Sequence, residues 1–97
     1  MTDLSKVYAR DSNYVSRRIE DETILVPIRN NVGDLDSIYS LNAVGAFIWE
    51  RLDGAADLQF IRDVITREYE IDAVAAESDL VTFIDQLDSI AAIRPTG

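Results

Sequence analysis

The pattern of apolar and polar positions changes character near residue 42. Before it, apolar residues come in short runs rich in β-branched and aromatic types, separated by turn chemistry. Tyr14-Val15-Ser16-Arg17-Arg18-Ile19 places β-favouring residues on both sides of an arginine pair. Glu20-Asp21-Glu22 follows as a turn, and then the run Thr23-Ile24-Leu25-Val26-Pro27-Ile28. Pro27 has no N–H to donate to a ladder, which puts it at a strand end or on an edge. Asn30-Asn31-Val32-Gly33-Asp34 reads as a second turn, and Asp36-Ser37-Ile38-Tyr39-Ser40-Leu41 as a short third strand. Two hairpins in series predict a three-stranded antiparallel meander. Residues 1–12 are polar and unpatterned, which predicts a flexible N-terminal arm.

After residue 42 the period becomes helical. Asn42 is a good N-cap, because its side-chain oxygen can accept a free first-turn N–H. Val44, Phe47, Ile48 and Leu52 follow at spacings of three and four. Asp53-Gly54 predicts the end of that helix, with glycine suited to a left-handed C′ position. Asp57 caps a second helix with the stripe Leu58, Ile61, Val64, Ile65 and Tyr69. Glu70-Ile71 is a break and Asp72 a third cap. The last helix carries Ala76, Leu80, Phe83, Ile84, Leu87, Ile90 and Ala91, and Arg94-Pro95 stops it or marks a short terminal strand. The order βββααα predicts an α+β fold, of which a winged helix-turn-helix-like arrangement is one solution: a three-stranded antiparallel sheet followed by three helices. The expected organisation is an arm over 1–12, one domain over 13–94 and a tail over 95–97.

Composition narrows the function. The chain has 97 residues, 47% of them apolar, enough for a single core. It contains neither cysteine nor histidine. That removes a disulfide framework, thiolate metal sites, the cysteine nucleophile and the commonest general base. It suits a reducing cytoplasm. No apolar run approaches the roughly 20 residues needed to cross a bilayer, and the N-terminus has no signal-peptide pattern. Asp85 and Asp88, at i and i+3, could in principle form an acid pair or a hard-metal site, but a solvated helix face is the plainer reading. Lys6 lies in the predicted arm, without the burial that would lower its pKa. The glycines form no phosphate-binding loop. A non-catalytic binding role with no cofactor is the expectation.

Charge narrows it further. Nine basic residues face 18 acidic ones, for a net charge of −9. Residues 1–41 carry −2 and residues 42–97 carry −7, so the helical half is the acidic one. A duplex carries about one negative charge per 1.7 Å, and the scattered arginines give no basic stripe to meet it. Neither nucleic acid nor a membrane is an expected partner.

Three features could carry binding. Trp49 lies about 100° round its helix from Ile48, so it either packs under another element or faces a partner. Gly45 inside the same helix costs roughly 0.8–1 kcal/mol relative to alanine, which suggests close approach by another backbone, that of a neighbouring strand or helix. On the last helix Val74 and Val81 form a strip bordered by Glu77, Asp85 and Asp88. That strip is either a core edge or a seat for apolar and basic side chains. The third predicted strand is short and uncharged from Ser37 to Leu41, compatible with an edge protected by its shortness or with one that accepts an added strand.

The succession Ile24-Leu25-Val26-Pro27-Ile28, Leu41-Asn42, Ile48-Trp49-Glu50-Arg51-Leu52-Asp53-Gly54, Ile61, Tyr69 and Asp79-Leu80-Val81-Thr82-Phe83-Ile84-Asp85-Gln86-Leu87 resembles the PqqD family, or RiPP recognition elements, over about residues 14–93. The resemblance implies a winged helix-turn-helix-like fold that binds the leader of a ribosomally made precursor peptide. It implies presentation of that leader to a modifying enzyme, often a radical SAM protein, as in pyrroloquinoline quinone biosynthesis. A chain of this length would act in trans. The resemblance places the leader as a strand along Ser37, Ile38, Tyr39, Ser40 and Leu41, against the third helix, where wheel geometry selects Val74, Val81 and Asp85. A DNA-binding winged helix and an oligomerisation module remain the alternatives, and the oligomeric state stays open.

Overall fold

The computed structural model describes residues 3–28 and 39–96. The elements run β1 (Val7–Arg10), β2 (Tyr14–Ile19), β3 (Glu22–Pro27), β4 (Tyr39–Leu41), α1 (Ala43–Glu50), β5 (Asp53–Asp57), α2 (Leu58–Tyr69), α3 (Ala73–Ser89) and β6 (Ile93–Thr96). The α+β class holds, with three helices as expected and one sheet more. The predicted meander is a three-stranded antiparallel sheet in the order β2-β3-β4. The expected third strand reaches back to Asp36; its described part is Tyr39–Leu41, and Ser37 and Ile38 lie outside the described residues.

The second sheet, β5-β1-β6, is antiparallel and brings distant segments together. Residues 7–10, expected within a loose arm, form its central strand. Ala9 pairs with Asp53 on one side and Arg94 on the other. Tyr8 is buried in the core. The Arg10 guanidinium donates to the carbonyls of Trp49 and Glu50 at 3.0 and 2.9 Å, closing the C-terminal end of α1. Of the residues expected as a tail, Pro95 and Thr96 belong to β6 and Gly97 lies outside the described residues; Pro95 sits on an edge strand, where its missing N–H costs least.

Asp53-Gly54 differs from expectation in a related way. The helix ends earlier, at Glu50, and the pair opens β5. Gly54 does take a positive φ, +83°, but beside Ala9 and Thr96 at an irregular register of the β1–β5 ladder. Asp53 accepts backbone N–H bonds from Ala55 at 2.9 Å and Ala56 at 3.4 Å. The Ala55 bond is the main reason its carboxyl is held below the usual carboxylate range.

The three predicted caps are in place. Asn42 accepts from Gly45 N–H at 2.7 Å, Asp57 from Phe60 at 2.8 Å and Asp72 from Val74 at 3.1 Å. Glu70 ends α2 in the left-handed region, with φ +51°. The core lies between the helices and the inner faces of both sheets. Leu25, Ile48, Leu52, Leu58, Ile61, Ile65, Leu80 and Ile84 are fully enclosed, and Trp49 is buried with them. Trp49 is therefore a core residue. No helix among the described residues is long and apolar enough to cross a membrane.

Candidate functional site: the β4 edge and the α3 groove

β4 pairs with β3 through Leu41↔Thr23, Ser40↔Ile24 and Tyr39↔Leu25, and has no ladder partner on its other side among the described residues. Side chains alternate across the sheet. Tyr39 and Leu41 share the face of buried Leu25, while Ser40 points to the opposite face, where its hydroxyl donates to Glu22 Oε1 at 2.7 Å. The strand is uncharged, so its edge is open to another backbone.

Beside this edge runs a groove of about 460 Å3, bounded by Tyr39 to Asn42 on one side and, on the other, by Phe83, Gln86, Leu87 and Ser89 of α3 with Ile90 just beyond its end. Its floor is apolar and firm, because Leu41 and Leu87 are also core residues. Gly45 leaves room for the α1 cap, with Phe83 of α3 at ordinary contact distance beyond it. A Cβ there would stand 3.1 Å from Asn42 Oδ1 and 3.5 Å from the Phe83 ring. The close backbone expected at Gly45 is replaced by side chains, a cap oxygen and a ring.

The far end of the groove is tied to β2. Tyr14 donates its hydroxyl to the Ile90 carbonyl at 3.1 Å. Burial, with a smaller contribution from Tyr39, pushes the Tyr14 phenol above its ordinary value, so the donor stays protonated. Ile90 follows the last turn of α3, and this bond gives its carbonyl a partner.

The expected strand residues Tyr39, Ser40 and Leu41 all lie at the groove. The expected helix residues do not. Val74 is 77% exposed in the first turn of α3. Val81 is half-buried and Asp85 exposed, and neither borders the groove. Taking Leu80 as reference, Val74, Val81 and Asp85 lie roughly 100–140° to one side of the helix, and Phe83, Gln86, Leu87 and Ile90 about 20–120° to the other. Both flanks carry apolar residues, so a wheel alone does not say which one β4 covers. The signal for the other flank is the series Phe83, Leu87 and Ile90 at helical spacing.

Elsewhere, Arg51 donates to the Phe47 carbonyl at 3.0 Å and stacks 3.4 Å from the Phe47 ring centroid, and Phe47 meets Tyr69 edge-on. Arg62 bridges α2 to Glu77 at 2.9 Å and also holds Asp63. Among the described residues no group of three acids, histidines or cysteines is placed to hold a metal ion.

A solved structure described as TbiB1 in complex with the TbiA(beta) leader peptide is 28% identical to the chain, with a TM-score of 0.72, and the match covers 89% of this chain and 94% of that one. No curated protein matches the chain. The family model described as coenzyme PQQ synthesis protein D (PqqD) matches residues 22–92, which take in β3, β4 and all three helices. With most of its length inside that match, the chain belongs to the PqqD family.

Proposed function

We propose that the protein binds the leader segment of a ribosomally synthesised precursor peptide and presents it to a modifying enzyme. The leader adds as an extended strand to the free side of β4, and its alternate side chains enter the groove against α3. Backbone hydrogen bonds to β4 supply affinity that depends little on sequence, and the apolar floor selects the side chains. The observation that carries this reading is the juxtaposition of an uncharged, one-sided strand with a firm apolar groove. Support comes from a solved relative of similar fold that is described as bound to a leader peptide.

In this role the chain contributes recognition and the partner enzyme contributes the chemistry. A radical SAM enzyme is the partner class that family membership suggests, and pyrroloquinoline quinone biosynthesis is one pathway consistent with it. A DNA-binding role is disfavoured by the net charge of −7 on residues 42–97 and by the internal engagement of Arg51 and Arg62.

The test is a titration of the 15N-labelled protein with candidate precursor peptides, taken from any short reading frames encoded near its gene. Saturable amide shifts are expected at Tyr39–Leu41 and along Phe83–Ile90. Absence of shifts there with every such peptide would overturn the reading.

A further inference from the structure

The groove does not end at Leu41. Asn42, Phe83 and Gln86 also line a second cleft, of about 330 Å3, between α1 and α3. Along the direction from Tyr39 to Asn42, the α3 residues bordering the two clefts run back from Ile90 toward Asp79. The second cleft is therefore a continuation of the first.

Its two parts differ in chemistry. Its apolar lining is Val44, Gly45, Ile48 and Phe83, of which Ile48 is fully buried, and Asn42, Thr82 and Gln86 border it. At the rim stands Asp79, exposed to solvent. Its carboxylate accepts no hydrogen bond and meets no cation among the described residues. Arg62, which ties α3 to α2, is already held by Asp63 and Glu77.

The geometry points to a second subsite that takes a lysine or arginine side chain of the bound peptide, with its aliphatic stem along Val44, Ile48 and Phe83 and its charge on Asp79. This rests on the strand-addition reading above. Lysine and arginine combine an apolar stem with a charged tip, which matches a floor and rim of these two kinds. The Phe83 ring adds an attraction for arginine. A purely apolar side chain would desolvate Asp79 without compensation, and an acidic one would be repelled. In an extended peptide, same-face residues stand about 7 Å apart, so the basic residue follows the apolar anchors on the side nearer Leu41.

A random 12-residue peptide library displayed against the protein tests this. The wild type is expected to select alternating apolar residues with lysine or arginine at a fixed offset. The variant Asp79→Asn keeps the apolar alternation, loses the basic preference, and binds the selected basic peptides about 1.5- to 5-fold more weakly, the range of an exposed ion pair. Asp79→Lys turns the preference to aspartate or glutamate. Selected peptides shift the amides of Tyr39–Leu41 in all three proteins. Peptides that shift those amides but show no basic preference, or the same preference with Asp79→Asn, overturn the subsite and leave strand addition standing. Selected peptides that never shift Tyr39–Leu41, or no selected peptides, overturn both.

Discussion

The sheet of β2, β3 and β4 has two outer strands, and they solve the problem of an open edge differently. β2 is six residues long and carries Arg17 and Arg18 in succession, one on each face. Long strands with free edges invite pairing, and charges on both faces oppose it. β4, over its described residues Tyr39–Leu41, carries no charge and is backed by a groove whose floor belongs to the core. Under the proposed strand addition, the groove favours a partner with the right side chains. The same sheet thus carries charge at one edge and an apolar groove beside the other.

The comparison can be probed from its largest effect downward. Leu87→Ala removes a side chain shared by the core and the groove floor, and is expected to lower stability by about 2–5 kcal/mol in a denaturant titration. A loss below about 1 kcal/mol would mean that the floor is not anchored in the core. Phe83→Ala acts on a half-buried ring at the groove wall. It is expected to weaken peptide binding by about tenfold or more by calorimetry, about 1.4 kcal/mol. Unchanged affinity would detach the groove from recognition.

The third variant removes the protection of β2. Arg17→Thr with Arg18→Thr leaves an uncharged six-residue edge, and sedimentation is expected to show self-association rising with protein concentration beyond that of the wild type. Its effect on folding stability should stay within about 0.5 kcal/mol per exposed site. Identical sedimentation would show that the arginines do not guard this edge. The smallest effect belongs to Ser40→Ala, which deletes an exposed hydrogen bond to Glu22 and is expected to cost no more than about 1 kcal/mol in thermal unfolding.

Much of this contrast was legible in the sequence, because its signals are local. The Arg17-Arg18 pair, the uncharged end of the third strand and the caps Asn42, Asp57 and Asp72 act on neighbouring residues. The second sheet was not legible. Val7–Arg10 shows no alternation long enough to stand out, and its partners lie more than 40 residues away. Asp53-Gly54 suits both a helix terminus and a strand residue with positive φ, and only the approach of Ala9 and Thr96 decides between them. For the same reason α3 gave its apolar arc but not the flank that β4 covers. Val74, Val81 and Asp85 satisfied the wheel as well as Phe83, Gln86 and Ile90 did.

Residue-resolved hydrogen exchange of the protein, free and saturated with the precursor peptide, tests strand addition at β4 most directly. Added backbone hydrogen bonds should slow exchange of amides within Tyr39–Leu41 by at least tenfold, while those of Arg17 and Arg18 on β2 keep their free-state rates. Slowing at β2 with none at β4, or equal rates at both edges in the saturated complex, would contradict the account.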